Sequence, residues 1–206
     1  MGSKNSANVQ KATWALAELG IDYEHVPLGG SFKGVDTPEY LALNPHGLVP
    51  TLRDGDLVVW ESHAIVRYLA AAYGAGSLWP LSPRDRAPID QWTDWAETTF
   101  QPAWIGVFGS IVRVPKEKQD PSVIAAGVAK ATTAFGQIEK QLDGRDYLAG
   151  NFSYADIVSG VALYRWFTMD IARPSLANVE AWYARLQQRS AFAENVIVSY
   201  ADLYVR

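Results

Sequence analysis

Apolar and polar positions divide the chain into two regimes with different periods. In "NVQKATWALAELG", Val9, Ala12, Leu16 and Leu19 fall three and four apart, which predicts a helix that Gly20 stops. "IDYEHVPL" then reads as a short strand. "DTPEYLALNP" predicts one or two helical turns, with Asp36 or Thr37 as N-cap, Pro38 in the first turn and an end before Pro45. "VPTLRDGDLVVW" is two apolar runs around Asp54-Gly55, a tight-hairpin signal. Ser62 is then expected to cap "HAIVRYLAAAYG", in which Ile65, Tyr68, Leu69 and Ala72 share a face and Gly74 ends the helix.

After "GAGSLWPLSPRDRA", whose Gly, Ser and Pro content is that of a linker, the period is helical throughout. Ile89, Trp92, Trp95 or Ala96, Phe100 and Trp104 mark a long helix that Pro102 is placed to kink. Asp120 and Pro121 open another, carried by Ile124, Val128, Ala131, Phe135, Ile138 and Leu142. "FSYADIVSGVALYRW" begins with a Ser153–Asp156 capping box, and "NVEAWYARLQQR" supplies a fourth helix. The order predicts an α/β layer over residues 1–74, a linker over 75–84 and an all-helical unit over 85–206.

Composition narrows the chemistry. The chain has 206 residues, half of them apolar, enough for a substantial core. A formal net charge of -4 with scattered Lys and Arg gives no footprint for nucleic acid or an anionic membrane. No apolar run has the length of a bilayer span and "MGSKNSANVQK" lacks a signal-peptide core, so the expected location is cytoplasmic. With no cysteine, a protein thiol cannot act as nucleophile or metal ligand, and His25, His46 and His63 share no ligand spacing.

Three segments, "NPHGLVPTL", "DGDLVVWESHAIVRYL" and "DYLAGNFSYADI", resemble those of the cytosolic glutathione transferase family in order and approximate spacing, over nearly the whole chain. The likeness is to bacterial theta- or nu-like members. It implies a thioredoxin-like α/β N-terminal domain, an all-α helical C-terminal domain, glutathione as co-substrate, no metal and a homodimer. In such an enzyme the glutathione thiol is joined to a small apolar electrophile. Disulfide or peroxide reduction at the same site, or a non-catalytic binding role, are the alternatives.

A thiol with a pKa of about 8.5 is mostly protonated at neutral pH, so the site must stabilise the thiolate. A hydroxyl at a helix N-terminus does so through a hydrogen bond and the favourable end of the helix dipole. The resemblance assigns this to Ser6, with Asn8 in reserve and Asn5 a weaker candidate, while either Ser6 or Asn8 on its own also reads as a plain N-cap. It further implies a cis Val49-Pro50 bond, with the Val49 backbone pairing the cysteinyl unit of the peptide. Ser62, at a helix N-terminus, is expected to hold the γ-glutamyl carboxylate, and Glu61 the α-ammonium. Lys33 or His46 is left for the glycyl carboxylate, because Leu48 stands where relatives often carry a basic residue. Trp104, Phe108 and Trp166 are expected in the second-substrate pocket, each with bundle core as the alternative. His63 and Arg67 read as exposed polar residues or interface contacts, and Asp156 as a folding residue. Too few residues precede Ser6 for a strand of ordinary length, so the sheet is expected to have a gap where the family has its first strand.

Overall fold

The computed structural model describes residues 1–205. The N-terminal layer holds α1 (Ala7–Glu18), α2 (Pro38–Leu41), the strands β1 (Thr51–Asp54) and β2 (Leu57–Trp60), and α3 (Ser62–Tyr73). Thr37 caps α2, its hydroxyl accepting from Tyr40 N at 3.3 Å. The strands pair antiparallel with Asp54 opposite Leu57. The hairpin loop is therefore Gly55-Asp56, one residue later than a turn centred on Asp54-Gly55, and Gly55 sits at φ 60° in its first position. Glycine there gives the backbone twist that a two-residue hairpin needs.

The segment "IDYEHVPL", expected as a strand, forms no strand pairing over residues 21–28. Its backbone lacks a continuous partner: Gly2 N donates to Val26 O at 2.9 Å, and Met1 exchanges bonds with Thr51 on the other side. Beyond that bridge a groove of about 670 Å³ separates residues 21–26 from β1, floored by Val9, Ala12, Leu16, Ile65 and Leu69. The two-stranded sheet thus has the gap expected from the sequence, and a strand needs a neighbour to satisfy its N–H and C=O groups.

The helical part comprises α4 (Pro83–Trp95), α5 (Gln101–Val112), α6 (Pro121–Gln141), α7 (Tyr154–Thr168), α8 (Ala177–Gln187) and α9 (Ser190–Val196). The kink expected at Pro102 is taken up just before it: Ala96–Phe100 forms a π-helical turn between α4 and α5. Such a turn accommodates the N–H that proline lacks. Asp120 caps α6, accepting from Ser122 N at 2.8 Å. At the start of α7, Asp156 is fully buried and accepts from Ser153 N and Leu148 N at 3.0 Å and from Trp182 Nε1 at 3.1 Å. Its carboxylate therefore ties the 148–153 loop and α8 to α7.

One core runs through both parts, and α1 packs on α3, α7 and α9. Trp14 of α1 is completely buried, its ring 4.8 Å from that of Phe192. Room for it exists because α7 carries Gly160, where a Cβ would lie 3.0 Å from the Trp14 ring and 2.9 Å from Leu186. Across the other edge, Arg67 of α3 bonds Asp90 at 3.0 Å and also pairs with Asp94, while Tyr154 OH donates to the same Asp90 oxygen at 2.9 Å.

Candidate functional site

The N-terminus of α1 faces a cleft between the two layers. Ser6 occupies the N-cap position with extended backbone (φ -78°, ψ 124°), yet its side chain makes no capping bond. Its hydroxyl is therefore not consumed by the helix, unlike that of an ordinary cap residue. Ser6, Asn8 and Val49 form one wall of a cavity of about 190 Å³, and Trp104, Ile105 and Phe108 form the opposite wall, with Arg113 and Arg165 also lining it.

The loop that presents Val49 is fixed by its own side chains. Asn44 is buried; its Oδ1 accepts from His46 N at 3.1 Å and its Nδ2 donates to Leu48 O at 2.8 Å. Tyr40 OH donates to the same carbonyl at 2.5 Å and meets Thr51 Oγ1 at 2.8 Å. The Val49-Pro50 bond that follows is cis, as expected.

Behind the Ser6 wall lies a buried polar cluster. Lys11, a turn further along α1, is entirely enclosed, and its Nζ donates to Asn8 Oδ1 at 3.0 Å and Ser62 Oγ at 3.3 Å, and to Gln101 Oε1 of α5. It also meets His63 Nε2 at 2.8 Å. Burial pushes the Lys11 pKa down to about 7, against the upward pull of Glu97 and Glu61. His63 Nδ1 faces the Thr93 carbonyl at 3.1 Å, and since a carbonyl only accepts, that nitrogen carries the proton. Nε2 must then serve two partners, Lys11 and the Glu97 carboxylate at 2.9 Å. It accepts from a charged lysine when the ring is neutral, and donates to Glu97 when the ring is protonated. Desolvation lowers the His63 pKa despite Glu97, so near neutral pH the ring is neutral and its Nε2 accepts from the Lys11 amine.

Several expectations need correction. The N-cap of α3 is Glu61, held at φ 71°, and Ser62 is the first helical residue. Ser62 is buried against Lys11 and neither it nor Glu61 lines the 190 Å³ cavity. His63 is not exposed but 6 % accessible, because it spans α3 and the helical part. Trp166 is not in the pocket: it is 1 % accessible and stacks on Phe135 with ring centroids 4.4 Å apart, both facing the bundle core. Lys33 and His46 are exposed and away from the cavity; Lys33 sits at φ 53° in the 29–33 turn, and the His46 ring packs edge-on against Trp60 at 4.7 Å. Asn5 lines the cavity, but its amide is engaged by Ser3 Oγ at 2.6 Å and Asp202 Oδ2 at 2.7 Å.

Sequence reasoning missed Lys11, Glu97, Gln101, Arg113 and Arg165. For Lys11 the sequence carries no signal: it stands between Val9 and Leu16 in a helix whose burial over the whole of that stretch is visible only in the fold. Arg165 follows an apolar run that leaves it no exposed face, and is 1 % accessible.

Residues 1–77 match the family model for the glutathione S-transferase N-terminal domain and residues 105–190 that for the C-terminal domain. The chain is 37% identical over 200 residues to glutathione S-transferase GstB of Escherichia coli K12, with 96% of each chain covered. It is 30% identical over 197 residues to glutathione S-transferase F10 of Arabidopsis thaliana, covering 91% of both. Among solved structures it superposes on the theta-class glutathione S-transferase of Xanthomonas axonopodis pv. citri with glutathione bound, at TM-score 0.92 and 44% identity over 96% of each chain.

Proposed function

Because the chain belongs to the glutathione S-transferase family and is a glutathione-conjugating enzyme, we propose that its thiolate site is built on Ser6, with Asn8 beside it. The observation that carries this reading is the Ser6 hydroxyl: it stands at the N-terminus of α1, lines the cleft and makes no cap bond. A hydrogen bond from it to sulfur, added to the positive end of the helix dipole, favours the anion over the thiol. Val49 shares that wall and offers backbone groups to the peptide. Ser62 and Glu61, at the start of α3, take the γ-glutamyl end, where the helix N-terminus favours a carboxylate. Trp104 and Phe108 supply the apolar face against which the electrophile rests.

The reaction needs no base at the electrophile: once the thiol has lost its proton to solvent, the sulfur lone pair forms the C–S bond, the C–halogen bond of an aryl halide breaks with its pair leaving as halide, and the product leaves as a thioether. Substitution of Ser6 by Ala tests the assignment. The thiol pKa of bound glutathione, read from thiolate absorbance, rises by about a unit or more, and turnover of 1-chloro-2,4-dinitrobenzene at neutral pH falls about tenfold or more. Unchanged values would transfer the role to Asn8, whose Oδ1 is held by Lys11 and whose amide nitrogen is thereby directed to donate. An Asn8-based site is the arrangement in which disulfide reduction replaces conjugation, and turnover of a glutathione mixed disulfide reads it. The same reading makes the protein a cytoplasmic bacterial homodimer in detoxification. Size-exclusion with light scattering tests its oligomeric part. No helix among the described residues is long and apolar enough to cross a membrane.

A further inference from the structure

We propose that Arg165 is a positioning residue for the thiolate: from α7 it clamps the main-chain turn that presents the Ser6 hydroxyl to sulfur. This rests on the reading of Ser6 and Asn8 as the sulfur wall of the cleft, opposite the electrophile wall of Trp104 and Phe108.

Arg165 is a buried cation, and every group its guanidinium bonds is neutral. Burial lowers its pKa only to about 10, so it stays charged at neutral pH. A buried cation without a counter-ion is costly, and charge-assisted bonds to well-placed acceptors offset that cost. The two short bonds run to α1 and to the residue just before Ser6: Nη1 donates to Gln10 Oε1 and Nη2 to Asn5 O, both at 2.7 Å. A third, from Nη1 to Val161 O at 3.4 Å, stays within α7. The ring centroids of Phe108 and Tyr200 lie 5.4 Å and 5.8 Å from the guanidinium carbon, within reach of a cation–π contact that orients the group further.

These acceptors fix Ser6 through the main chain. The Asn5 carbonyl shares its peptide plane with the Ser6 N–H, which donates to Ser3 O at 3.0 Å. Arg165 holds the oxygen of that plane and Ser3 its hydrogen, so a planar peptide leaves the entry to Ser6 little freedom to tilt. On the exit side Ser6 O accepts from Gln10 N at 2.9 Å. One residue earlier, Gln10 Nε2 donates to Lys4 O at 3.0 Å. A guanidinium only donates, so the Gln10 amide turns its oxygen to Arg165 and its nitrogen to Lys4. The direction of the Ser6 side chain is thereby set from α7, and its hydroxyl, free of any capping bond, lines the cleft. Hydrogen bonds weaken steeply as their angle closes, so a small tilt of this turn loses thiolate stabilisation while α1 stays intact.

The thiol pKa of bound glutathione, read from thiolate absorbance, tests this without an electrophile. Arg165→Lys keeps the buried charge and loses the fork; Gln10→Met alters no charge and releases Lys4 O. Each raises that pKa by about half a unit or more. Turnover of 1-chloro-2,4-dinitrobenzene then falls several-fold at about pH 6.5 and returns to the wild-type rate above about pH 9.5, where the thiol ionises unaided. In a Ser6→Ala background neither substitution adds to the shift, because the group it positions is gone. Tryptophan fluorescence during urea unfolding establishes that the variants are folded, and where one is not, the other decides. A shift in Arg165→Met but in neither of these variants would make the arginine a source of field alone and overturn the proposal. So would a rate lowered equally at every pH, or a full further shift in the Ser6→Ala background. If Ser6→Ala raises the thiol pKa and the two variants do not, this inference falls alone. If Ser6→Ala itself leaves the thiol pKa unchanged, the reading of the sulfur wall fails and this inference fails with it.

Discussion

Lys11 offers the most direct physical test of the site's architecture, because a buried amine leaves a signature in the pH dependence of stability. In the unfolded chain its pKa is the ordinary 10.5; in the folded chain burial brings it to about 7. Between those values the unfolded state binds a proton that the folded state does not, so stability rises with pH across that window. Below about pH 7 both states are protonated and the contribution is flat at its least favourable; above about pH 10.5 both are neutral and it is flat again. Integrated from pH 7 to about pH 9, the single group adds about 2 kcal/mol to the unfolding free energy. Lys11→Met removes the titration. Urea unfolding of both proteins at several pH values, followed by tryptophan fluorescence, gives the difference directly, because groups outside the Lys11, His63 and Glu97 cluster titrate alike in each and cancel. The wild type gains about 2 kcal/mol relative to the variant over that interval. Parallel profiles would show that Lys11 keeps an ordinary pKa, and the description of a desolvated amine bridging α1, α3 and α5 would be wrong.

Two further perturbations probe the frame that positions the cleft. Asp156→Ala strands four buried donors, Leu148 N, Ser153 N, Ser153 Oγ and Trp182 Nε1, and costs about 3–6 kcal/mol at neutral pH by equilibrium urea unfolding; a loss below about 1 kcal/mol would mean that the donors find other partners. Gly160→Ala brings a methyl within 3.0 Å of the Trp14 ring and 2.9 Å of Leu186, and overpacking of this kind costs about 1–3 kcal/mol, read as a lower thermal midpoint. A neutral outcome there would show that α1 and α7 move apart freely.

Much of this fold is legible in the sequence because local rules and the global fold agree. Asp120-Pro121 opens α6, Gly55 turns the hairpin and Ser153 to Asp156 opens α7, each determined by neighbours in the chain. The failures are equally physical. Residues 21–28 have a strand's composition, but a strand is a property of a pair, and there the partner contributes only Gly2. Trp166 and Trp104 are alike in sequence as apolar residues of helical faces; which one faces a ligand cleft depends on the rotation of its helix in the bundle, and Trp166 turned toward Phe135. Lys11 and Arg165 were passed over because a charged residue in a helix ordinarily lies on a solvated face, and no local pattern tells that both faces are covered.

The two buried cations among the missed residues, Lys11 and Arg165, share a structural logic. Gln10 and Lys11 are consecutive on α1: the first bonds Arg165 of α7, and the second bonds Gln101 of α5 and touches Ser62 and His63 of α3. Together they lock the helix that carries Ser6 and Asn8 against the helices that carry Trp104, Phe108 and Arg165. The separation of the sulfur wall from the electrophile wall is thereby set by buried polar contacts, which demand specific geometry, as well as by apolar packing, which tolerates small slides. Since attack requires the reacting atoms within about 3–3.5 Å and in line, small slips between these walls act on turnover far more than on binding of either substrate alone. Residues that never touch a substrate, Gln10 and Gln101 among them, therefore belong to the determinants of rate.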